Sequence, residues 1–337
     1  MKQVSESLTM AWEAASAEAA DISGYYRRRL SLDVPFPVYA GIAVPSRVRR
    51  VSIEFGIEAL QGLDLTDRTR GYLVETERDR QKGTVFIHVE ETLASLPKDL
   101  FRILCEDLLE RIIFCKSSDE SARILQRRLQ HWKTFFLKRT GDWLSYEECV
   151  GLFGEIEFLE RCLNCGIPPM LVVNAWQGPL GSNQDFLFGK IAIEVKTVTA
   201  NDADVFRVSN LRQVDDTGLD FLGLCHIAYD FREGSGRNLA SLITSVRSLL
   251  RGSPDALTVF DDRLLAAGYV EPDFSPYAAY GFTERRRSYY RVGDGFPRIL
   301  ESDLSPGIRD VGYSVNLAAC AGFGIEESEL LNILLIR

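Results

Sequence analysis

A carboxylate and an ammonium group project side by side from one predicted strand of the chain. In the segment IAIEVKTV, the two-residue period of a strand places Glu194 and Lys196 on the same face. Asp185 lies nine residues upstream of Glu194, and a turn at residues 188–190 would fold it back beside that glutamate. Two carboxylates and the backbone carbonyl of Val195 form a set of hard oxygen ligands suited to Mg²⁺. Lys196 could then orient or deprotonate a water molecule for hydrolysis.

The same charge pair has a simpler interpretation as an ion pair on an edge strand in solvent. The preceding helix favours the first interpretation. At 100° per residue, Glu155 falls on the apolar face turned toward the sheet, whereas Glu157 is expected to pair with Arg161 at the surface. A carboxylate on a buried face must be paired, solvated or bound to a metal. Gly154 beside it would let another backbone or a phosphate approach closely.

The chain is acidic overall, with 39 Lys and Arg against 48 Asp and Glu among 337 residues. This balance argues against an indiscriminate polyanion binder but leaves room for a local basic face. One basic cluster consists of five arginines interleaved with tyrosines: Arg285, Arg286, Arg287, Arg291 and Arg298. It suits either phosphate and base contacts or a β-hairpin whose tyrosines pack inward.

A second basic stretch lies between Ser121 and Gly141, with six basic residues and no acidic one. It is either a helix that follows a phosphate backbone or the solvated face of an amphipathic helix. Other sequence features bear on the cellular location of the protein. No apolar run reaches the roughly 18–20 residues that a membrane span needs, and no secretory signal is evident at the start. Seven scattered cysteines suit reduced thiols, so we expect a cytoplasmic protein without membrane contact.

The pattern of elements predicts an N-terminal α+β module over residues 1–141. The first thirty residues indicate a helix ending near Gly24. Between Pro35 and Glu91 short β-like segments follow one another, namely PVYAGIAV, RRVSIEF, RGYLVETE and GTVFIHVE. Apolar residues at helical spacing then predict two helices. Thr140-Gly141-Asp142 breaks this pattern, and we place a domain boundary there.

The second predicted domain covers residues 142–337. It opens with a helix from Tyr146 to Cys165, which Gly166 and two prolines bring to an end. Three strand-like segments follow: LVVNAW, then DFLFGKIAIEVKTV, then FLGLCHIAY. Two further helices come next, one over residues 239–250 and one opened by Ser253-Pro254. This order predicts a mixed α/β domain built on a central sheet.

Asp185, the Glu194-Val195-Lys196 run and Glu155 on a preceding helix together resemble the PD-(D/E)XK nuclease motif. The stretches GLFGEIEFLE, AWQGPLGSNQDFLFG, AIEVKT and YYRVGDGFPRI resemble, more narrowly, an uncharacterised bacterial family of PD-(D/E)XK motif proteins. That family is often linked to phage-defence gene clusters. The resemblance implies a restriction-endonuclease-like fold, a central mixed sheet flanked by helices.

The resemblance also implies a role for each matching residue. Asp185 and Glu194 would bind the metal, Lys196 would be the catalytic lysine, and Glu155 would be an auxiliary acid. Gln213 is a candidate for a glutamine that matters in some branches of the superfamily, and we group it with the nucleic-acid-binding residues. These also include the arginines Arg285, Arg286, Arg287 and Arg291. The sequence departs from the motif's name at one position, where Gln184 replaces the proline before the aspartate.

The function implied is a Mg²⁺- or Mn²⁺-dependent DNA endonuclease of a bacterial restriction or phage-defence system. The alternative is an inactive nuclease fold that serves as a DNA-binding or scaffolding subunit of a defence complex. DNA is the expected partner, together with other defence proteins or a second copy of the chain. The N-terminal module would recognise substrate, bind a partner or mediate dimerisation.

Overall fold

A computed structural model describes the chain at residues 2–19, 23–92, 100–138, 143–199, 204–270 and 279–335. The chain divides into two compact units, Met1–Asp142 with Val270–Asp273, and Trp143–Tyr269 with Phe274–Arg337. The boundary predicted at residues 141–142 lies outside the described residues, and the roles predicted for the two domains stay predictions. No helix in the described ranges is both long enough and apolar enough to cross a membrane.

The first unit is built on a six-stranded antiparallel sheet. Its strands are β1 (Gly24–Arg29), β2 (Val38–Val44), β3 (Arg49–Gly56), β4 (Asp67–Arg68), β5 (Tyr72–Asp79) and β6 (Thr84–Glu91). They are hydrogen-bonded in the order β1-β2-β3-β6-β5-β4. Its helices are α1 (Lys2–Glu18), α2 (Leu100–Ile113) and α3 (Ser118–Lys138). The strands and helices predicted between Pro35 and Lys138 are thus confirmed.

The predicted N-terminal helix is confirmed, but it ends before Gly24. Helix α1 ends at Glu18, and the segment GYYRRR forms β1 at the edge of the sheet. Aromatic residues favour strands, and here Tyr25 pairs with Ala43 of β2 in an antiparallel register. Pairing with the edge of β2 therefore makes this segment a strand, and no local sequence pattern indicates where that edge lies.

The second unit contains a mixed five-stranded sheet in the order β13-β11-β10-β8-β7. Its strands, with two that form a separate pair, are β7 (Phe186–Phe188), β8 (Ile191–Val198), β9 (Val205–Val208), β10 (Phe221–Glu233), β11 (Tyr280–Val292), β12 (Tyr313–Asn316) and β13 (Gly324–Ile325). Strands β8 and β10 are parallel, and β9 pairs separately with β12. The helices are α4 (Tyr146–Asn164), α5 (Pro169–Ala175), α6 (Leu239–Leu249), α7 (Pro254–Ala266) and α8 (Glu327–Leu335). The predicted fold class is confirmed.

Strand β8 is covered on both faces, as its apolar composition requires. Ile193 and Val195 belong to the core shared with α4, whereas Ala192 belongs to a second core on the opposite face. The predicted alternation along this strand is therefore confirmed. Helix α4 starts at a capping box, in which Ser145 and Glu148 each accept a hydrogen bond from the other's backbone N–H.

The prediction of a strand at LVVNAW is wrong, because this segment forms helix α5 followed by Trp176. Pro168 and Pro169 precede it, and a proline at the first helical position is preorganised for a helix. Val172, Val173 and Trp176 are all buried, and the Trp176 ring lies 5.8 Å from that of Phe260 on α7. A short apolar run does not distinguish a buried helix from a strand, so the packing against α7 decides.

Gly154 lets α4 approach β8 closely, and a test follows from that contact. A Cβ atom added at Gly154 would lie 2.1 Å from Thr197 Cγ2, whereas one added at Gly151 of the same helix would meet nothing within 4 Å. We expect Gly154→Ala to lower the free energy of unfolding by about 1–3 kcal/mol. Gly151→Ala should raise it by up to about 1 kcal/mol, because alanine is the better helix former. Urea unfolding of both variants measures the difference.

A second substitution tests whether the clash with Thr197 causes the loss of stability in Gly154→Ala. Thr197→Ser deletes the Cγ2 atom, so it should recover part of the stability that Gly154→Ala loses. Equal stability of Gly154→Ala and Gly151→Ala would contradict this packing.

Candidate active site

A tight hairpin brings Asp185 beside Glu194. Strands β7 and β8 pair in an antiparallel register with Phe186 opposite Ile193, so Asp185 falls opposite Glu194. Gly189 in the connecting turn has a φ of 66°, a conformation that glycine adopts without strain. The predicted turn at residues 188–190 is therefore confirmed, and it places the first two candidate residues together.

The Asp185 side chain is held by the backbone of β8. Its Oδ2 accepts a hydrogen bond of 2.7 Å from the Val195 N–H, and its own carbonyl accepts from the N–H groups of Gln177 and Gly178. Within a strand, the N–H and the carbonyl of one residue point toward the same neighbouring strand. The Val195 carbonyl therefore points toward the side of β8 on which Asp185 lies. Gln184, which stands where the motif has proline, is buried and donates from Nε2 to the Arg212 carbonyl.

Glu194 and Lys196 form a largely buried ion pair on the face of β8 opposite to Ile193 and Val195. The Lys196 Nζ lies 2.7 Å from Glu194 Oε1 and donates a second hydrogen bond of 2.9 Å to Gln213 Oε1. Glu194 is only 2% exposed, and its Oε2 has no hydrogen-bond partner among the described residues. An unpaired carboxylate oxygen in the interior costs free energy, and a bound cation would relieve that cost.

Glu155 approaches the cluster from α4. Its Oε2 accepts a hydrogen bond of 2.7 Å from the indole N–H of the buried Trp176. A Cβ atom added at Gly178 would lie 2.8 Å from Glu155 Oε2 and 3.0 Å from Asp185 Oδ1. The two carboxylates therefore flank one small space, which a larger residue at position 178 would fill.

Burial raises the pKa of all three carboxylates, and the charge of Asp185 adds to the rise at Glu155 and Glu194. Burial, and then the charge of Asp185, raise the pKa of Glu155 to about 8, against the hydrogen bond from Trp176. Burial raises the pKa of Asp185 to about 6, although the Val195 N–H and the Lys196 charge oppose it. Burial and Asp185 also raise the pKa of Glu194 well above its usual range. A bound cation would reverse this repulsion.

These residues fit a divalent cation that retains some of its water. In the part of the chain that the structure describes, no three acidic, histidine or cysteine side chains already form a complete ion-binding cluster. Mg²⁺ is usually held through only one or two carboxylates and keeps several waters. Asp185, Glu194 and the Val195 carbonyl supply such an oxygen set, and the unpartnered Oε2 of Glu194 together with the space beside Gly178 supports it.

A model of one protein family spans most of this sequence. The DUF4420 family, described as "Putative PD-(D/E)XK family member", matches residues 8–318. The chain belongs to the DUF4420 family. It therefore has a PD-(D/E)XK nuclease-like fold, and the resemblance inferred from the motif residues is confirmed. No curated protein and no solved structure matches the chain.

The arginine cluster of this DUF4420 protein is largely occupied by ion pairs along β11. Arg287 is buried, with Nη2 at 2.6 Å from Glu157 and 2.7 Å from Glu284. This placement corrects the expectation that Arg287 contacts nucleic acid, because its side chain is only 5% exposed and already paired. It also corrects the expected Glu157–Arg161 bridge, because Glu157 binds Arg287 and the Tyr229 hydroxyl instead.

Three of the remaining arginines in the cluster, Arg285, Arg286 and Arg291, stay candidates for nucleic-acid contact. Their pairs are more exposed: Arg285 lies 3.4 Å from Asp230, Arg286 2.7 Å from Asp204, and Arg291 3.5 Å from Glu329. Gln213 lies inside the site, and its Oε1 accepts hydrogen bonds from Lys196 and from Ser209. A nucleic-acid contact by Gln213 would therefore have to use its amide nitrogen.

Sequence reasoning missed Trp176 and Gly178, although both lie in the stretch AWQGPLG that carries the resemblance. Their roles depend on Glu155 and Asp185, which are distant in sequence. One signal was present: Val172, Val173 and Trp176 follow helical spacing after two prolines, which would have placed Trp176 at the end of a helix.

The raised carboxylate pKa values predict that the metal-free protein loses stability as pH rises. Glu155 binds a proton more tightly in the folded protein than in the unfolded chain. Its contribution to the free energy of unfolding is therefore fully present below about pH 4.5 and is lost as pH rises through about 8. In EDTA, wild type should lose at least about 1 kcal/mol more between about pH 5 and pH 8 than Glu155→Gln does. Urea unfolding at several pH values measures this, and parallel curves for the two proteins would contradict it.

Proposed function

We propose that the chain is a Mg²⁺- or Mn²⁺-dependent endonuclease that hydrolyses DNA phosphodiester bonds in a bacterial restriction or phage-defence system. The observation that carries this proposal is that Asp185 and Lys196 lie beside Glu194, whose buried Oε2 has no hydrogen-bond partner among the described residues. Membership of a PD-(D/E)XK family supports the same chemistry. The restriction or defence setting rests on the resemblance alone.

Asp185, Glu194 and the Val195 carbonyl would hold the cation. When bound, the ion would supply positive charge that stabilises the charge developing on the phosphate oxygens. The Val195 N–H keeps Asp185 Oδ2 in place, so the aspartate can present its other oxygen in a fixed position. Gly178 keeps the space beside that oxygen open.

Lys196 would position the attacking water. Among the described residues its ammonium group contacts Glu194 and Gln213, so its third N–H can serve a water or a phosphate oxygen. In the reaction the water oxygen bonds to phosphorus, one P–O ester bond breaks, and the water's proton passes to a nearby base. Glu155, with a pKa of about 8, can take up or release a proton near neutral pH.

Incubation of the purified full-length protein with supercoiled plasmid DNA tests the proposal. With Mg²⁺ or Mn²⁺ we expect nicked and linear products, and with EDTA we expect none. A phosphodiesterase of this kind needs the ion throughout. Failure to cleave single-stranded, duplex or phage DNA with either ion would contradict the proposal. Salt-dependent DNA binding without cleavage would instead favour the inactive DNA-binding subunit.

A further inference from the structure

An open cleft of about 310 Å³ in the first unit is lined by four basic side chains. It lies between the segment that joins β4 to β5 and the last turns of α3. Arg68, at the end of β4, and Arg70, in that segment, line one side, and Lys133 and Lys138 of α3 line the other. Phe136 and the exposed Leu137 supply its apolar lining.

The wall that carries the two arginines is fixed to α3. Thr69 Oγ1 accepts hydrogen bonds of 3.1 Å from the N–H groups of Gly71 and Tyr72, which closes a tight turn. The Tyr72 hydroxyl donates to the Leu129 carbonyl of α3 at 3.0 Å. The ring of Phe136 packs on Gly71 so closely that an added Cβ would lie 2.1 Å from it. The cleft is therefore preorganised.

Arg68 and Arg70 differ in their pairing from three other arginines of the same unit. Arg49, Arg50 and Arg128 each pair with a carboxylate, whereas the guanidinium groups of Arg68 and Arg70 make no ion pair within the described residues. Asp67, which precedes Arg68 in β4, lies 2.8 Å from Lys133 Nζ. The two guanidinium groups on one side and the two lysines of α3 on the other make the lining of the cleft basic in an acidic protein.

We propose that this cleft binds the phosphate groups of a DNA backbone, so that the first unit helps to hold the substrate. Guanidinium groups on a fixed turn suit phosphate oxygens, which they can bind with two N–H donors. Four cations along an open cleft suit successive phosphates better than one small anion, and Leu137 can contact the sugar. The choice of DNA rests on the proposed function, and the binding site itself rests on the cleft.

The first half of α3 offers a matched control. Arg123 and Arg127 are exposed basic residues of the same helix but do not line the cleft. Arg68→Glu/Arg70→Glu and Arg123→Glu/Arg127→Glu therefore change the net charge equally. Fluorescence anisotropy with a labelled DNA duplex, in EDTA and over a range of KCl concentrations, compares both with wild type. Circular dichroism and thermal unfolding check that each variant folds.

The cleft variant should weaken DNA binding by at least about tenfold and lower the slope of log affinity against log salt by about two. The control should change either quantity much less. Equal losses in both variants, no loss in the cleft variant, or no DNA binding by wild type would overturn the proposal. So would binding of anionic lipid vesicles or RNA in place of DNA. Because the assay needs no cleavage, unchanged binding by the cleft variant would not contradict the nuclease proposal. Loss of cleavage in active-site variants would likewise not contradict the proposed binding cleft.

Discussion

Asp185→Asn is expected to lower the rate of metal-dependent DNA cleavage by at least about a thousandfold. Asparagine keeps the size of the side chain and can still accept the hydrogen bond from the Val195 N–H. It removes the negative charge that would hold the cation opposite Glu194. Single-turnover cleavage of plasmid DNA in Mg²⁺ measures the effect, because it isolates the chemical step.

The same substitution should stabilise the metal-free protein. The pKa of Asp185 rises from 3.8 to about 6 on folding, so its charged form is disfavoured in the folded state near neutral pH. Replacing it with a neutral amide should raise the free energy of unfolding in EDTA by on the order of 1–3 kcal/mol. Loss of activity with a gain in stability is a signature that general damage to the fold does not produce.

Asp294→Asn provides the matched control, since Asp294 is an exposed aspartate of the same unit. It should change neither cleavage nor stability. If Asp185→Asn cleaved DNA as fast as wild type, or unfolded more readily in EDTA, the role assigned to this carboxylate would be wrong.

Lys196→Met should reduce cleavage by about a hundredfold to ten-thousandfold, the range typical of a group that acts on a proton or a reacting water. Methionine preserves much of the apolar stem and removes the ammonium group. Lys190→Met is the control, because Lys190 is exposed in the turn of the same hairpin. We expect that variant to cleave at the wild-type rate.

Lys196→Met also leaves Glu194 without its ion-pair partner, so reduced folding must be separated from reduced chemistry. The double variant Glu194→Gln/Lys196→Met removes both charges and should restore stability without restoring cleavage. A Lys196→Met protein that is folded and fully active would contradict the proposed role of the lysine.

Much of the candidate site could be predicted because it depends on local rules. The period of a strand placed Glu194 and Lys196 together, and one turn placed Asp185 beside them. Helical spacing was enough to turn Glu155 toward the sheet. Each of these inferences uses residues that are close in sequence, where backbone geometry determines which side chains are neighbours.

The remaining features depend on partners that are distant in sequence. Arg287 was predicted to contact nucleic acid because it stands in an arginine cluster interleaved with tyrosines, yet Glu157 on α4 pairs with it from 130 positions away. Trp176 donates to Glu155 only because α5 is a helix rather than the expected strand. Strand β1, for which the sequence indicated no element, likewise forms by pairing with the edge of β2. Tertiary contacts of this kind outweigh local propensity.

Titration of the protein with Mn²⁺ by isothermal calorimetry, in the absence of DNA, tests the central claim most directly. We predict that wild type binds Mn²⁺ at the carboxylate cluster and that Asp185→Asn and Glu194→Gln each weaken this binding at least about tenfold, whereas Asp294→Asn does not. Absence of Mn²⁺ binding by wild type, or equal affinity in all four proteins, would contradict the assignment of this site as a metal centre.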